Sequence, residues 1–104
     1  TDTALLERLM RAHRIEAVWH GAAITAGAER EKREASRIVE VNLLATVRAL
    51  EAAARAGVRR FVYPSSSAVY GETAFGEGGP VSEDAPLRPL NLYGITKVAA
   101  EAAV

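Results

Sequence analysis

Two short apolar runs, Ile15–His20 and Arg60–Ser66, stand on either side of a long stretch with helical periodicity. That order constrains the chain more than any other feature. A strand that returns to its sheet after a long helix cannot close a hairpin with its predecessor, so it crosses over and pairs in parallel. Parallel sheets of this kind carry helices on their faces and take ligands beyond the carboxyl ends of their strands. Here those ends read His20-Gly21-Ala22-Ala23 and Ser65-Ser66-Ser67.

The remaining segments fit this frame. Leu5, Leu6, Leu9 and Met10 recur at helical spacing between Thr3 and His13, with Asp2 or Thr3 placed to cap the first turn. Ile15–His20 ends in small residues, which suits a buried parallel strand better than a short core helix. Between Glu29 and Ala56, Val39, Leu43, Val47, Leu50 and Ala54 form one apolar face, opposite Arg37, Glu40, Arg48, Glu51 and Arg55. The stretch before Ser36 is charged and small, so the helix is expected to start near there. Gly57 supplies its stop. Phe61-Val62-Tyr63 centres the second strand, and Pro64 weakens pairing at its end because it has no N–H to donate. A loop from Ser67 to Pro89, with Gly71, Gly76, Gly78, Gly79, Pro80 and Pro86, precedes a last helix over Asn91–Val104. Loops of that length in a domain are commonly functional or disordered.

Composition excludes several classes. Lysine plus arginine number 13, and so do aspartate plus glutamate, which gives no electrostatic reason to expect nucleic acid or an anionic membrane as partner. There is no cysteine, so disulfides and thiolate metal sites are ruled out. His13 and His20 are not spaced as metal ligands, and His20 reads as a packing residue at a strand end. No apolar run approaches the roughly 20 residues of a membrane helix. Thr1 stands where an initiator methionine would, which suggests a chain cut from a longer one.

Chemistry concentrates in the last helix. Tyr93 and Lys97 are four apart and share a face. A free phenol titrates near about 10 and is a weak base at neutrality, but a nearby ammonium favours the phenolate. A tyrosine so tuned can exchange a proton with a hydroxyl or carbonyl as hydride moves. A serine hydroxyl at the end of the adjacent strand can hold the reacting oxygen. Taken singly, each of these features is common. A tyrosine–lysine pair arises by chance, three serines make turn bonds, and two alanines allow close packing.

Their order makes them specific. Val18-Trp19-His20-Gly21-Ala22-Ala23, then Asn42, then Phe61-Val62-Tyr63-Pro64-Ser65-Ser66-Ser67-Ala68-Val69-Tyr70-Gly71, then Tyr93-Gly94-Ile95-Thr96-Lys97 with Glu101 beyond, resemble the extended short-chain dehydrogenase/reductases of the NAD-dependent epimerase/dehydratase family. The resemblance covers essentially the whole chain. It implies an α/β, Rossmann-like doubly wound parallel sheet, of which this strand–helix–strand–loop–helix portion is the centre. Residues 1–104 are then the central part of a dinucleotide-binding domain. The Gly-rich phosphate loop and the C-terminal substrate domain are absent from the chain.

The same resemblance implies NAD or NADP as cofactor and a serine–tyrosine–lysine catalytic group. Tyr93 becomes the acid/base, and Lys97 tunes it and binds the nicotinamide ribose. Ser66 is the matching serine, Ser65 faces the cofactor and Ser67 is a candidate substrate contact. Ala22 and Ala23 line the cofactor's path, and Asn42 supports the active-site backbone or its water. Tyr70 is read as loop packing. The expected substrate is a small molecule, a nucleotide sugar, turned over by a cytoplasmic enzyme whose parent is a homodimer. Epimerisation or reduction leads. A dehydrogenase of free sugars, sugar acids or other alcohols is the alternative, and a non-catalytic NAD-binding scaffold is a third reading. Family members that dehydrate nucleotide sugars carry Asp-Glu directly after the catalytic serine or threonine, where this chain has Ser67-Ala68. The isolated chain is expected to be inactive.

Overall fold

A computed structural model describes residues 2–25, 27–75 and 80–104. Helix α1 spans Thr3–Ala12, strand β1 Ala17–Trp19, helix α2 Ala28–Val39 and helix α3 Ala45–Ala56. Strand β2 spans Arg60–Val62, the short helix α4 Glu72–Phe75, and helix α5 Leu92–Glu101. A π-helical turn at Glu40–Leu44 joins α2 to α3, and a 3₁₀ turn at Ser67–Val69 follows β2. Gly76, Gly78 and Gly79 of the long loop lie outside the described residues.

The strands pair in parallel, with Ala17 opposite Arg60, Val18 opposite Phe61 and Trp19 opposite Val62. Both are shorter than the apolar runs that announce them. The ladder continues only to the His20 N–H, which donates to the Val62 carbonyl at 2.9 Å. Two residues later Pro64 offers no donor, and the chain leaves the sheet.

Local chemistry sets the helix ends. Asp2 caps α1, its carboxylate accepting from the Leu5 N–H at 2.9 Å. Gly57 closes α3 in the left-handed region at φ 79°, ψ 25°. Its N–H reaches the Ala54 carbonyl and that of Val58 the Ala53 carbonyl, the pair of bonds that ends a helix at a glycine. Asn91 caps α5 by accepting from the Gly94 N–H at 2.8 Å.

The long helix departs from expectation in two ways. It begins at Ala28 rather than near Ser36, with a kink at Glu34 (φ −125°, ψ 26°). Its buried stripe is also displaced by one residue. Ile38, Asn42, Thr46, Ala49 and Ala53 are buried, whereas Val39, Leu43, Val47 and Leu50 are half-buried and Ala54 is exposed. The step pattern is that of the apolar face, moved one position towards the N-terminus. Hydrogen bonds account for the shift, because two polar residues in the stripe are fully partnered inside the structure and cost little to bury.

The whole is a flat slab, 49 × 32 × 15 Å. Its radius of gyration is 15.5 Å, against about 13 Å for a compact 100-residue domain. Val18 and His20 face a hollow lined by Leu6, Met10, Val41 and Ala49. Trp19 points the other way and is 72% exposed. The expected burial of the first strand is therefore not met, since one of its faces lies open. Among the described residues the buried apolar side chains are Ile38, Ala49, Ala52, Ala53, Val69 and Ala100, mostly small.

So small an apolar core, beside an open strand face, predicts the behaviour of residues 1–104 made alone. They should self-associate and unfold over a broad temperature range. Light scattering and a thermal melt check this. A monodisperse monomer with a sharp transition would show that the slab supports itself.

Candidate active site

The ammonium of Lys97 organises the end of β2. Only 3% of the residue is exposed. Its Nζ donates to the Pro64 carbonyl at 2.9 Å and lies 4.5 Å from the centre of the Tyr63 ring. The Tyr93 ring centre is 5.8 Å away, on the same helix face one turn earlier. Burial pushes the Lys97 pKa below its ordinary value, and the Glu101 carboxylate works the other way. Both rings present their negative faces to the cation, which offsets part of the lost hydration. Burial, and then Tyr93 and Glu101, push the Tyr63 phenol up to about 12, so it stays protonated near neutrality. Its hydroxyl is buried without a hydrogen-bond partner among the described residues.

Close backbone approach brings the serine-bearing turn to α5. A Cβ on Gly94 would stand 2.7 Å from the Ala68 carbonyl oxygen and 2.9 Å from the Pro89 Cβ, too near for any side chain. Gly71, at φ 46°, would drive a Cβ into the Arg88 carbonyl. Glycine at both places lets the strand-end turn lie directly on the first turn of α5. Ser66 caps that turn, its Oγ accepting from the Ala68 N–H at 3.2 Å. Ser66 is half-buried, and Ser65 and Ser67 are exposed. Among the described residues no hydrogen bond joins Ser66 to Tyr93 or Lys97.

Asn42 ties the other strand end to the same helix. It is 1% exposed, and every donor and acceptor of its side chain is used. Oδ1 accepts from the Ile24 N–H at 2.7 Å, and Nδ2 donates to the Ile24 carbonyl at 3.0 Å and to Thr96 Oγ1 at 3.2 Å. Thr96 in turn donates to the Tyr93 carbonyl at 2.8 Å. Asn42 sits in the π-helical turn, and its own carbonyl accepts from the Thr46 hydroxyl at 2.8 Å. Such turns recur at functional positions because they re-aim a helix side chain. Ala22 and Ala23, just before the pinned Ile24, are exposed.

His20 packs beneath this network. Its Nε2 lies 3.1 Å from Thr46 Oγ1. That hydroxyl already donates to Asn42, so His20 carries its proton on Nε2. The imidazole stacks on Tyr63 with ring centres 6.4 Å apart. Burial, and secondarily Lys97, lower its pKa. It is the strand-end packing residue that the sequence indicates.

The structure thus gathers Tyr93, Lys97 and Asn42 about one helix and sets the Ser66 turn against it. Several partners are not legible in the sequence. Glu31 accepts from the Leu92 and Tyr93 N–H groups at 3.1 and 3.2 Å. Pro64 acts through its carbonyl, and Tyr63 through its ring. Thr46 and Thr96 carried a weak signal, lying four residues after Asn42 and one before Lys97. Among the described residues no group of His, Asp and Glu side chains has metal-binding geometry, and no helix is long and apolar enough to cross a membrane.

The family model described as "NAD dependent epimerase/dehydratase family" matches residues 1–104. The chain belongs to that family. The UDP-glucose 4-epimerase of Lactobacillus helveticus is 35% identical over 100 residues, covering 96% of this chain and 29% of that protein. Among solved structures, MoeE5 in complex with UDP-glucose and NAD is 41% identical with a TM-score of 0.80, over 94% of this chain and 30% of that one. UDP-glucose-4-epimerase from Stenotrophomonas maltophila, with bound NAD and formylated UDP-arabinopyranose, is 33% identical with a TM-score of 0.86, over 97% and 29%. The chain therefore spans under a third of the length of these relatives, and its fold is part of the family's Rossmann-like sheet.

Two outcomes follow from the buried network. Asn42→Ala strands the Ile24 N–H and carbonyl inside the structure. It should lower the stability of the full-length parent by about 3 kcal/mol, read from its urea midpoint. His20 binds its proton less readily in the fold than in the unfolded chain, where its pKa is about 6.5. The stability this contributes is present above that pH and is lost as pH falls towards the lower folded value. Between about pH 7.5 and about pH 5.5 the midpoint should fall, and His20→Gln should flatten the fall while keeping a donor for Thr46.

Proposed function

We propose that the chain is the central part of the dinucleotide-binding domain of an NAD-dependent nucleotide-sugar epimerase. The observation that carries this reading is the buried Lys97 ammonium, fixed at the end of a parallel strand with the Tyr93 ring beside it. Relatives crystallised with NAD and UDP-sugars support the cofactor and substrate class. The span of under a third of those relatives fits one portion of a larger enzyme.

The residues present suit NAD. Ala22 and Ala23 are exposed and small where a flat ring system must pass close to backbone, and Ile24 beyond them is held rigid by Asn42. Lys97 spends one donor on Pro64 and keeps others for a ribose diol. Ser65 is exposed on the same strand end. Bound NAD supplies the acceptor, and later the donor, for a sugar-carbon hydride.

The chain's own residues handle the proton. Tyr93 takes the hydroxyl proton as the carbonyl forms and returns it afterwards. Lys97 stands beside the Tyr93 ring and is itself held against drift by Pro64 and Tyr63. Ser66 hydrogen-bonds the reacting oxygen, with its turn positioned by Gly94. Asn42 and Thr96 fix the Tyr93 carbonyl and hence the first turn of α5. Ser67-Ala68 offer no extra acid beside the serine, which favours epimerisation or reduction over loss of water.

Two tyrosines flank Lys97, and only one is suited to acid/base work. In the full-length parent with NAD and UDP-glucose or UDP-galactose, Tyr93→Phe should cost about 10²–10⁴ in turnover and spare NAD binding. Tyr63→Phe keeps a ring face for the ammonium and should stay within about threefold of wild type. Chromatographic assay of the sugar nucleotides and NAD titration check both. Full turnover in Tyr93→Phe, or equal losses in the two variants, would remove the assignment.

A further inference from the structure

Resting on the reading just given, we propose that Glu31 is a positioning residue for Tyr93, acting through the backbone of α5. Its two carboxylate oxygens divide between adjacent amides. Oε2 accepts from the Leu92 N–H at 3.1 Å and Oε1 from the Tyr93 N–H at 3.2 Å. These bonds cross 61 and 62 positions of sequence, from the first turns of α2 to the first turn of α5.

The N-terminal N–H groups of a helix have no partner within it. In α5 Asn91 serves Gly94 through its side chain and Ile95 through its carbonyl. Leu92 and Tyr93 are left over, and Glu31 serves both. A carboxylate there is also favoured by the helix dipole. Its neighbours are engaged elsewhere, Glu29 with Lys32 at 3.2 Å and Arg30 with Glu34 at 3.1 Å. Among the described residues no cation lies within ion-pair distance of Glu31, so its charge is directed at the helix end.

The consequence falls on one residue. Tyr93 is held at its N–H by Glu31 and at its carbonyl by Thr96, which Asn42 holds in turn. Tyr93 leaves the first turn of its helix, where fraying is greatest. Thr96 cannot restrain that turn alone, because it rides on the same helix. Glu31 anchors it from outside.

The test uses the full-length parent with NAD and a UDP-hexose. Glu31→Ala should lower kcat about tenfold and leave KM and NAD affinity within about twofold, since misplacing a reacting group by about 1 Å suffices for such losses. Glu31→Gln keeps one acceptor oxygen and should recover part of the loss. In a Tyr93→Phe background Glu31→Ala should cause no further loss, because the group it positions is gone. Unchanged kcat in Glu31→Ala, or an equal fold-loss in both backgrounds, would overturn the proposal. If the wild-type parent converts no UDP-hexose, the functional reading fails instead. The clamp is then judged by amide hydrogen exchange. Faster exchange at Leu92 and Tyr93 in Glu31→Ala supports it, and unchanged rates overturn it.

Discussion

A single buried carboxamide sets where the site can be. Asn42 lies in the π-helical turn between α2 and α3, with almost no contact with water. An amide in that position costs free energy unless each of its groups is paired. Pairing here requires three separate segments to come together: the loop after β1 through Ile24, the long helix that carries Asn42, and α5 through Thr96. Moving any one of them strands a donor or acceptor inside. The position of Tyr93 is inherited from this arrangement by way of the Thr96 hydroxyl.

Lys97 follows the same logic with a charge in place of a dipole. An ammonium 3% exposed has lost most of its hydration, a penalty visible in its lowered pKa. The Pro64 carbonyl and the Tyr63 ring return part of it. Pro64 has two consequences here. Lacking an N–H, it ends the pairing of β2, and the freed backbone turns its carbonyl towards Lys97. What limits the strand thereby creates the anchor for the cation.

Local rules made much of the fold legible. The Asp2 cap, the Gly57 stop and the Asn91 cap of α5 depend on near neighbours in sequence, and the parallel β–α–β order on the long helix that separates the two strands. Periodicity failed by one residue on the long helix, because it counts aliphatic side chains. Asn42 and Thr46 outrank Leu43 and Val47 for burial once their hydrogen bonds exist, and those bonds are made with residues far away or on the next turn. That Tyr93 and Lys97 share a helix face was readable from their spacing, whereas the roles proposed for them come from the resemblance of the whole motif order. Glu31 was not readable, since its partners are backbone groups that leave no mark on composition. The same holds for the Pro64 carbonyl.

The apolar core and the polar network contribute unequally. The buried aliphatic set is small and dominated by alanine, in a slab only 15 Å through. Packing of that kind is non-directional and fixes relative positions loosely. Hydrogen bonds of 2.7 to 3.2 Å through Asn42, Thr96 and Glu31 are directional and fix them closely. Geometry near Tyr93 is therefore determined by polar contacts local to the site, largely independent of how the open face of the sheet is covered. A site built this way can keep its shape while the surfaces around it vary.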